Sequence, residues 1–146
     1  MFVWPANQTR DVHNLVEPDR MTTRIKPNGI CDQKSNSVTD DTFLLVVVCS
    51  AVGNVEQRQA IRETWAKDQE EIEDVKVIFM LGNPANESLQ PNVIKEAGIH
   101  GDIVQESFMD TYANLTIKSL MLLKWFTNSC NGNIVLTTFL VLSKFT

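Results

Sequence analysis

The segment RQAIRETW, at residues 58–65, places two cations on a face that a helix normally buries. Spacings of three, four and seven residues bring side chains to one side of an α-helix. Four side chains of the segment have these spacings: Arg58, Ile61, Arg62 and Trp65. Three interpretations are open, namely cations that reach water past a packed tryptophan, a network of ion pairs, or a positive surface for an anion. Only the third would be a functional site, and its chemistry would be the binding of a phosphate-like group.

The composition limits what such a surface could bind. The chain has 146 residues, of which 43% are hydrophobic and 21% charged, as is typical of one globular domain or a large part of one. A net charge of -5 and a pI near 5.0 argue against a general nucleic-acid binder, because the sequence has no basic run. Any anion site must therefore be local. The last carboxylate side chain is Asp110, so residues 111–146 contain none.

The cysteines do not indicate a metal site. Cys31, Cys49 and Cys130 lack the spacing of zinc ligands, and the two histidines are distant from them in sequence. Cys49 ends an apolar run, so we expect a buried thiol. Cys31 and Cys130 flank the periodic part of the chain and could form a disulfide if the protein is secreted.

Three tripeptides match the N-glycosylation pattern, which has meaning only in the secretory pathway. They begin at Asn7, Asn86 and Asn114. Residues 1–40 lack a basic start followed by an apolar core, and the longest apolar runs are too short to span a bilayer. We therefore expect that any signal peptide or membrane anchor lies outside this chain.

The chain divides into a polar arm and a periodic region. Residues 1–40 contain several prolines and show no sustained period, so we predict a stem or an extended N-terminal arm. Residues 41–146 contain four apolar runs that we predict to be strands, namely FLLVVVCS, VKVIFML, DIVQESF and IVLTTFLVL.

Helical patterns separate these strands. We predict one helix that Asn54 and Gln57 open as a capping box, a short one over residues 87–97, and one from a Thr111 cap to about Asn128. Alternating strands and helices predict an α/β fold, with a mostly parallel sheet and flanking helices.

The predicted fold favours the phosphate interpretation of the arginine segment. Open parallel sheets bind ligands outside the carboxyl ends of their strands, and the arginine helix would begin there. The N–H groups and dipole of that helix would also favour an anion. The sequence contains neither the dinucleotide-binding glycine pattern nor a P-loop, so any phosphate site would be of another kind.

Several segments together resemble one family. They are RQAIRETW, Glu96, HGDIVQESFMDTYANLTIKSLMLLKW and Cys130, within about residues 43–130. The chain is similar here to the β-1,3-galactosyltransferases and β-1,3-N-acetylglucosaminyltransferases, glycosyltransferase family 31. The resemblance implies a GT-A (Rossmann-like) fold, incomplete in this chain. It also implies a Golgi enzyme with a signal anchor that transfers galactose or N-acetylglucosamine, with inversion, from a UDP-sugar to an acceptor glycan.

The family motifs also imply roles for individual residues. Its arginine motif and its D-x-Y-x-N-L-T-x-K motif imply contacts with the UDP-sugar for four residues, Arg58, Arg62, Asp110 and Lys118. The remaining motif positions imply structural roles for Trp65, Tyr112, Asn114 and Trp125.

Alternatives remain for these motif residues. A motif arginine could instead clamp its helix to a carboxylate such as Asp110, and Lys118 could be a solvated lysine. Asn114 is both a motif position and a glycosylation sequon. Because a glycan needs an exposed acceptor, we expect Asn86 to be the better acceptor of the two.

The family pattern fails at the fourth predicted strand. Family members carry an acidic motif there that holds a divalent cation, usually Mn²⁺, on the UDP diphosphate. In this chain IVLTTFLVLSKFT has no acid, so we expect no metal ligands and assign no catalytic residue. Two functions remain: a β-1,3-hexosyltransferase represented by an inactive N-terminal portion, or a non-catalytic lumenal module that pairs with a related transferase.

Overall fold

The computed structural model describes residues 12–31, 44–72, 75–130 and 134–140. These ranges contain five strands, β1 (Thr23–Ile25), β2 (Leu44–Cys49), β3 (Val75–Asn83), β4 (Ile103–Met109) and β5 (Val135–Leu140). They also contain five α-helices, α1 (Val12–Val16), α2 (Val55–Glu63), α3 (Trp65–Glu70), α4 (Gln90–His100) and α5 (Leu115–Ser129). Short 3₁₀ turns, Glu87–Leu89 and Tyr112–Asn114, precede α4 and α5.

The five strands form one sheet in the order β1-β4-β3-β2-β5. Strand β2 pairs in parallel with β3 and β5, and β3 pairs in parallel with β4. Strand β1 is antiparallel to β4. The prediction of a mostly parallel α/β sheet is therefore confirmed, and the four predicted strands correspond to β2 to β5. This architecture is consistent with part of a GT-A, Rossmann-like fold.

Apolar side chains cover both faces of the central strands. Alternate residues of β2 point to opposite faces, which explains why its sequence is apolar without interruption. On one face, Leu45 and Val47 lie in the same cluster as Trp125 of α5. On the other face, Val46 and Val48 lie in a cluster with residues of α3 and α4. The sheet is thus sandwiched between two helical layers.

The described part of the N-terminal arm is not extended, which corrects one expectation. Residues 12–31 contain α1 and β1, and polar side chains fasten them to the core. Lys124 Nζ donates to the Thr22 hydroxyl at 2.7 Å, and Thr22 donates to the buried Glu106 carboxylate at 2.6 Å. Lys124 also donates to backbone carbonyl groups at the end of α1. The boundary at residue 40 stays a prediction, because residues 32–43 lie outside the described ranges.

The arginine helix is shorter than predicted. Helix α2 ends at Glu63, and Thr64 leaves helical geometry with φ -114° and ψ -114°. Trp65 therefore begins α3 and does not extend the arginine stripe. Its side chain is 38% exposed, and its ring centroid lies 5.8 Å from that of Phe139 on β5.

Three other predictions about helix ends need correction. Asn54 precedes α2, but its side chain makes no capping hydrogen bond. Asn114, rather than Thr111, immediately precedes α5. Pro91 lies in the first turn of α4, where proline is tolerated, so this helix continues to His100.

A disulfide joins Cys31 to Cys130, with the α-carbons 4.5 Å apart. It connects the segment after β1 to the end of α5. Cys49 is buried and has a free thiol. In the parts of the chain that the structure describes, no helix has the length and apolar character needed to cross a membrane.

Candidate functional site

Arg58 is completely buried, and all five of its N–H groups donate within the protein. Its Nε and Nη2 bind the two carboxylate oxygens of Glu96 at 2.7 and 2.8 Å. Nη1 donates to Ala51 O at 2.6 Å and to Ser50 Oγ at 3.1 Å, and Nη2 also donates to Val52 O at 3.0 Å. Arg58 thereby fixes the loop after β2 to helix α4. A ligand could gain a hydrogen bond from Arg58 only by replacing one of these partners.

Arg62 lies one helical turn further along α2 and points toward the start of β4. Its Nε and Nη2 donate to the Asp102 carboxylate at 2.7 and 2.8 Å, and Nη2 also reaches Glu96 at 2.9 Å. The guanidinium lies 4.8 Å from the centre of the Phe79 ring, a cation–π geometry. Nη1 is buried and makes no hydrogen bond with any residue that the structure describes.

The stripe is therefore an ion-pair network, one of the three interpretations that the sequence left open. Its acids are Glu96 and Asp102, and not Asp110, the example suggested by the sequence. Burial acts to raise the pKa of Glu96, but hydrogen bonds and charges from Arg58 and then Arg62 outweigh burial and hold this pKa below its ordinary value. Burial acts to lower the pKa of Arg62, but Asp102 and Glu96 raise it further above its ordinary value. Each charge thus stabilises the charged form of its partners.

A second buried ion pair lies at the carboxyl ends of the strands. Lys118 Nζ donates to the two oxygens of Asp110 at 2.8 and 3.1 Å and to Ser50 O at 2.7 Å. Asp110 also accepts the Gly82 N–H at 3.0 Å. The side chains of Lys118 and Asp110 are 1% and 2% exposed. Because Ser50 follows β2, Gly82 is near the end of β3 and Asp110 follows β4, this pair connects the ends of three strands.

The approach of these strand ends depends on Gly82. A β-carbon at this position would lie 2.8 Å from the ring and the carbonyl oxygen of Phe108, and 2.9 Å from the β-carbon of Asp110. These distances are too short for any side chain without a shift of backbone. Glycine therefore allows the Asp110 carboxylate to reach the backbone of β3.

The Cys49 thiol lies close to the same pair but is poorly suited to nucleophilic chemistry. Burial raises its pKa, the charge of Lys118 lowers it, and the charge of Asp110 raises it, with a net upward shift. The thiolate is therefore disfavoured. This agrees with the prediction of a buried thiol that packs as a small apolar side chain.

The structure distributes the other predicted site residues over several elements. Trp125 is buried in the core cluster on α5. Asn114 Nδ2 donates to Met109 O at 2.9 Å, whereas Asn86 lies exposed at the start of a 3₁₀ turn. Asn7 and the Tyr112 side chain lie outside the described part of the structure.

Sequence reasoning did not identify the acids that hold the two arginines. Glu96 entered only as a part of the family resemblance, and Asp102 only as the start of a strand. A usable signal was available, because two arginines on a buried stripe require nearby carboxylates. Both acids lie close together in sequence, Glu96 within α4 and Asp102 immediately before β4.

The acids of this region do not fit an Mn²⁺ site. Among the described residues, no group of three or more His, Cys, Asp or Glu side chains could hold a metal ion. Asp110 binds an ammonium group, while Glu96 and Asp102 bind guanidinium groups. Hard cations need several free oxygen ligands, and these oxygens already neutralise protein cations. No step of the chemistry can therefore be assigned to a metal held by these residues.

Comparisons with known proteins agree with the fold and motifs. A family model described as Galactosyltransferase matches residues 56–138. Dog beta-1,3-galactosyltransferase 4 is 39% identical over 95 residues, which cover 61% of this chain and 25% of the relative. Zebrafish lactosylceramide 1,3-N-acetyl-beta-D-glucosaminyltransferase A is 35% identical over 109 residues, which cover 69% of this chain and 29% of the relative. Mouse beta-1,3-galactosyltransferase 1 is 37% identical over 91 residues, which cover 61% of this chain and 28% of the relative.

These matches span less than a third of the length of each relative. The family model covers residues 56–138, which include the arginine network and the Lys118–Asp110 pair. The resemblance predicted from the sequence motifs is confirmed, and the chain belongs to the galactosyltransferase family of glycosyltransferase family 31.

Proposed function

We propose that this chain supplies the nucleotide-sugar-binding part of an inverting β-1,3-hexosyltransferase. The donor would be UDP-galactose or UDP-N-acetylglucosamine, and the acceptor a glycan. Family membership supports glycosyl transfer as the general reaction. The observation that supports this position for the donor is the buried Lys118–Asp110 pair, because it lies where parallel α/β sheets bind ligands.

Lys118 is the proposed diphosphate-binding cation. The ammonium lies beside the loop that leads from β2 into α2, and the N-terminus of α2 adds partial positive charge there. Asp110 would hold Lys118 in place until the nucleotide arrives. The diphosphate could then replace Ser50 O or one Asp110 oxygen as acceptor.

Arg58 and Arg62 would support this site mainly through the structure around it. Arg58 binds two carbonyl groups of the loop after β2 and so determines the course of the backbone into α2. Glu96 binds the other side of Arg58, and Arg62 in turn binds Glu96. Direct contact of either arginine with a diphosphate stays a prediction from the family motifs.

We further propose that residues 1–146 bind UDP without transferring sugar. Residues 111–146 contain no carboxylate, and the described acids near the site are paired with cations. Loss of one group that stabilises transition-state charge commonly lowers the rate by about 10²–10³. In this proposal the family enzyme would act at the Golgi membrane and use Mn²⁺, for which the described residues offer no group of ligands.

A second candidate is a non-catalytic lumenal module that pairs with a related transferase. The supporting observation is strand β5, which lies at an edge of the described sheet. Its Val135, Phe139 and Leu140 side chains are about half exposed. An edge strand with apolar side chains is suited to pairing with another polypeptide.

Titration of the full chain with UDP tests the proposed donor site. Lys118→Met should weaken UDP binding at least about tenfold, which corresponds to about 1.4 kcal/mol, whereas the exposed Lys95→Met should leave binding unchanged. Lys118→Arg keeps the charge and should bind more tightly than Lys118→Met. Circular dichroism identifies the variants that fold. Unchanged UDP affinity in folded Lys118→Met would refute the site.

Sugar transfer is measured separately, with UDP-galactose or UDP-N-acetylglucosamine, acceptor glycans and Mn²⁺. We expect turnover no greater than that of Arg58→Ala. Metal-dependent turnover clearly above this control would contradict an inactive chain. The pairing alternative would gain support if co-expression of the chain with a related transferase changed that enzyme's activity and the two proteins co-purified.

A further inference from the structure

We propose that two buried glutamines, Gln90 and Gln105, are positioning residues for the Lys118–Asp110 pair. They act through the backbone of Gly82, to which Asp110 is also bonded. The effect on a ligand rests on the proposed function, whereas the effect on Gly82 does not. Neither glutamine carries a charge, so the contribution of both is made through hydrogen bonds.

The two glutamine side chains form a reciprocal pair in the interior. Gln90 is the first residue of α4 and is 7% exposed, and Gln105 on β4 is fully buried. Gln90 Nε2 donates to Gln105 Oε1 at 2.7 Å, and Gln105 Nε2 donates to Gln90 Oε1 at 2.9 Å. Because a buried amide that loses its partners destabilises the fold, each side chain fixes the orientation of the other.

The other N–H of the Gln105 amide bonds the backbone of β3. Gln105 Nε2 donates to Gly82 O at 2.9 Å, and Asp110 accepts the Gly82 N–H at 3.0 Å. Only the nitrogen of the Gln105 amide can face this carbonyl oxygen, because the amide oxygen is an acceptor as well. Two side chains from the end of β4 and the residue after it thus hold both backbone polar groups of Gly82.

An irregularity in the sheet explains why side chains take this role. Leu81 pairs with Gln105 in the β3–β4 ladder. The next paired residues are Asn83 and Met109, so β3 advances two residues while β4 advances four. The β4 backbone is therefore bulged opposite Gly82. Bulges redirect side chains and are over-represented next to active sites, and Gln105 lies where this one begins.

The position of Gly82 determines how the ion pair is held. The carboxylate of Asp110 that accepts the Gly82 N–H also binds the Lys118 ammonium. A shift of Gly82 relative to β4 would therefore displace or release this carboxylate. Lys118 would then lose its place beside the loop after β2, and a small displacement of a binding group greatly weakens its action. Since the amides are neutral, they do not compete with Lys118 for Asp110.

Nuclear magnetic resonance of the full chain tests the positioning step without a ligand. In the wild type, the side-chain amide of Gln105 should exchange its hydrogens slowly, unlike that of Gln59, whose hydrogen bond to Glu63 is exposed. Gln105→Met keeps a side chain of similar length and removes the amide. In this variant the Gly82 N–H resonance should shift, and its exchange should be at least about tenfold faster relative to amides in the centre of β2.

A second variant covers the case in which Gln105→Met does not fold. Gln90→Met leaves the bond from Gln105 to Gly82 but removes the partner that orients it. The Gly82 resonance should therefore change in the same direction by a smaller amount. Rapid exchange of the Gln105 amide in the wild type would overturn the proposal. An unchanged Gly82 resonance in folded Gln105→Met, or in Gln90→Met if the first variant does not fold, would also overturn it.

UDP titration of the same chains tests the consequence for binding. Gln105→Met should weaken UDP binding by about tenfold. In a chain that already carries Lys118→Met, the same change should alter affinity by no more than about twofold, because both substitutions act through one group. Val75→Ala is the structural control, since Val75 is buried at the start of β3, far along the strand from Gly82. It should lower stability without changing UDP affinity.

The two measurements separate this inference from the proposed function. If the wild type binds UDP and folded Gln105→Met binds it equally well, the glutamines have only a structural role and the inference is overturned. An equal loss of affinity with and without the Lys118 side chain would overturn it too. If the wild type does not bind UDP, the donor site is refuted, while the Gly82 resonance and its exchange still decide whether the glutamines position this residue.

Discussion

At the scale of single residues, the buried cations of the two motifs are each paired with carboxylates of the same chain. Arg58 and Arg62 both form ion pairs with Glu96, and Lys118 forms an ion pair with Asp110. A buried ion pair is a weak source of net stability, but the loss of one partner leaves a charge without compensation. These residues should therefore be sensitive to substitution whether or not they contact a ligand.

Glu96→Gln should destabilise the domain by about 3–5 kcal/mol at neutral pH, because two buried guanidinium groups then lose their shared counter-charge. The measurement is chemical denaturation followed by circular dichroism. Glu87→Gln is a matched control, since this carboxylate is exposed and its ion pair with Arg24 is long, at 3.6 Å. Its substitution should change stability by less than about 0.5 kcal/mol. Equal effects of the two variants would contradict a structural role for the network.

The Glu96 carboxylate predicts a pH dependence of stability. Its pKa is lower in the folded protein than the ordinary value of 4.5, so the unfolded chain binds the proton more readily. The contribution of Glu96 is therefore complete above about pH 4.5 and is lost as the pH falls through the folded-state pKa. Glu96→Gln should lack this part of the acid destabilisation. Parallel acid-denaturation profiles for wild type and variant would contradict this assignment.

At the scale of elements, the candidate site depends on how closely β3 and β4 end beside each other. Gly82 allows this approach, because the Phe108 backbone and the Asp110 side chain occupy the space where a β-carbon would lie. Asp110 can then accept the Gly82 N–H and bind Lys118 from α5. One small residue in a strand thus positions an ion pair that joins the sheet to a helix.

Gly82→Ala should destabilise the domain by about 1–3 kcal/mol, as expected when extra volume enters a packed region. It should also weaken UDP binding if Lys118 holds the diphosphate. The opposite result is expected for Gly98→Ala in α4, where a β-carbon would meet no atom within 4 Å. Alanine in an ordinary helical position should stabilise by about 0.5–1 kcal/mol. Thermal unfolding compares the stability of the two variants, and UDP titration measures binding by Gly82→Ala. Unchanged stability of Gly82→Ala would refute the packing argument.

At the scale of the whole molecule, the N-terminal segment and the end of α5 are fastened to each other in two ways. The Lys124, Thr22 and Glu106 side chains form a polar connection between arm and core. The Cys31–Cys130 disulfide closes a loop with a sequence separation of 99 residues. A covalent bond across so long a loop mainly restricts the unfolded chain.

Replacement of both bonded cysteines by serine should lower the free energy of unfolding by about 2–5 kcal/mol. Because the closed loop is long, we expect a value near the upper end of this range. Reductant should destabilise the wild type by a similar amount and should have no effect on the double variant. Denaturation curves with and without reductant give this comparison. Without reductant, alkylation should label only Cys49, and only after unfolding, because its thiol is buried. Labelling of Cys31 and Cys130 in the native wild type would contradict the disulfide.

The sequence alone determined the class of fold and the family. Strands β2 to β5 are recognisable because a strand buried on both faces must be apolar throughout, and this requirement is local. The motif spacing is equally local. Strand β1 was missed since Thr23–Ile25 is only three residues long and is held by partners distant in sequence.

Tertiary structure decided what the charged motif residues contact. Arg58 and Lys118 reach acids 38 and 8 residues away in sequence, and a spacing pattern within one helix contains no information about such partners. The register of β3 against β4 determines which acid meets which cation. Asp102 immediately precedes β4, beside Phe79 and near Arg62, and Asp110 immediately follows β4, beside Gly82. The sequence could therefore predict that cations gather near the carboxyl edge of a sheet. Only the packing of α2, α4 and α5 on that sheet decided that the protein's own carboxylates neutralise them, because an uncompensated buried charge is strongly destabilising.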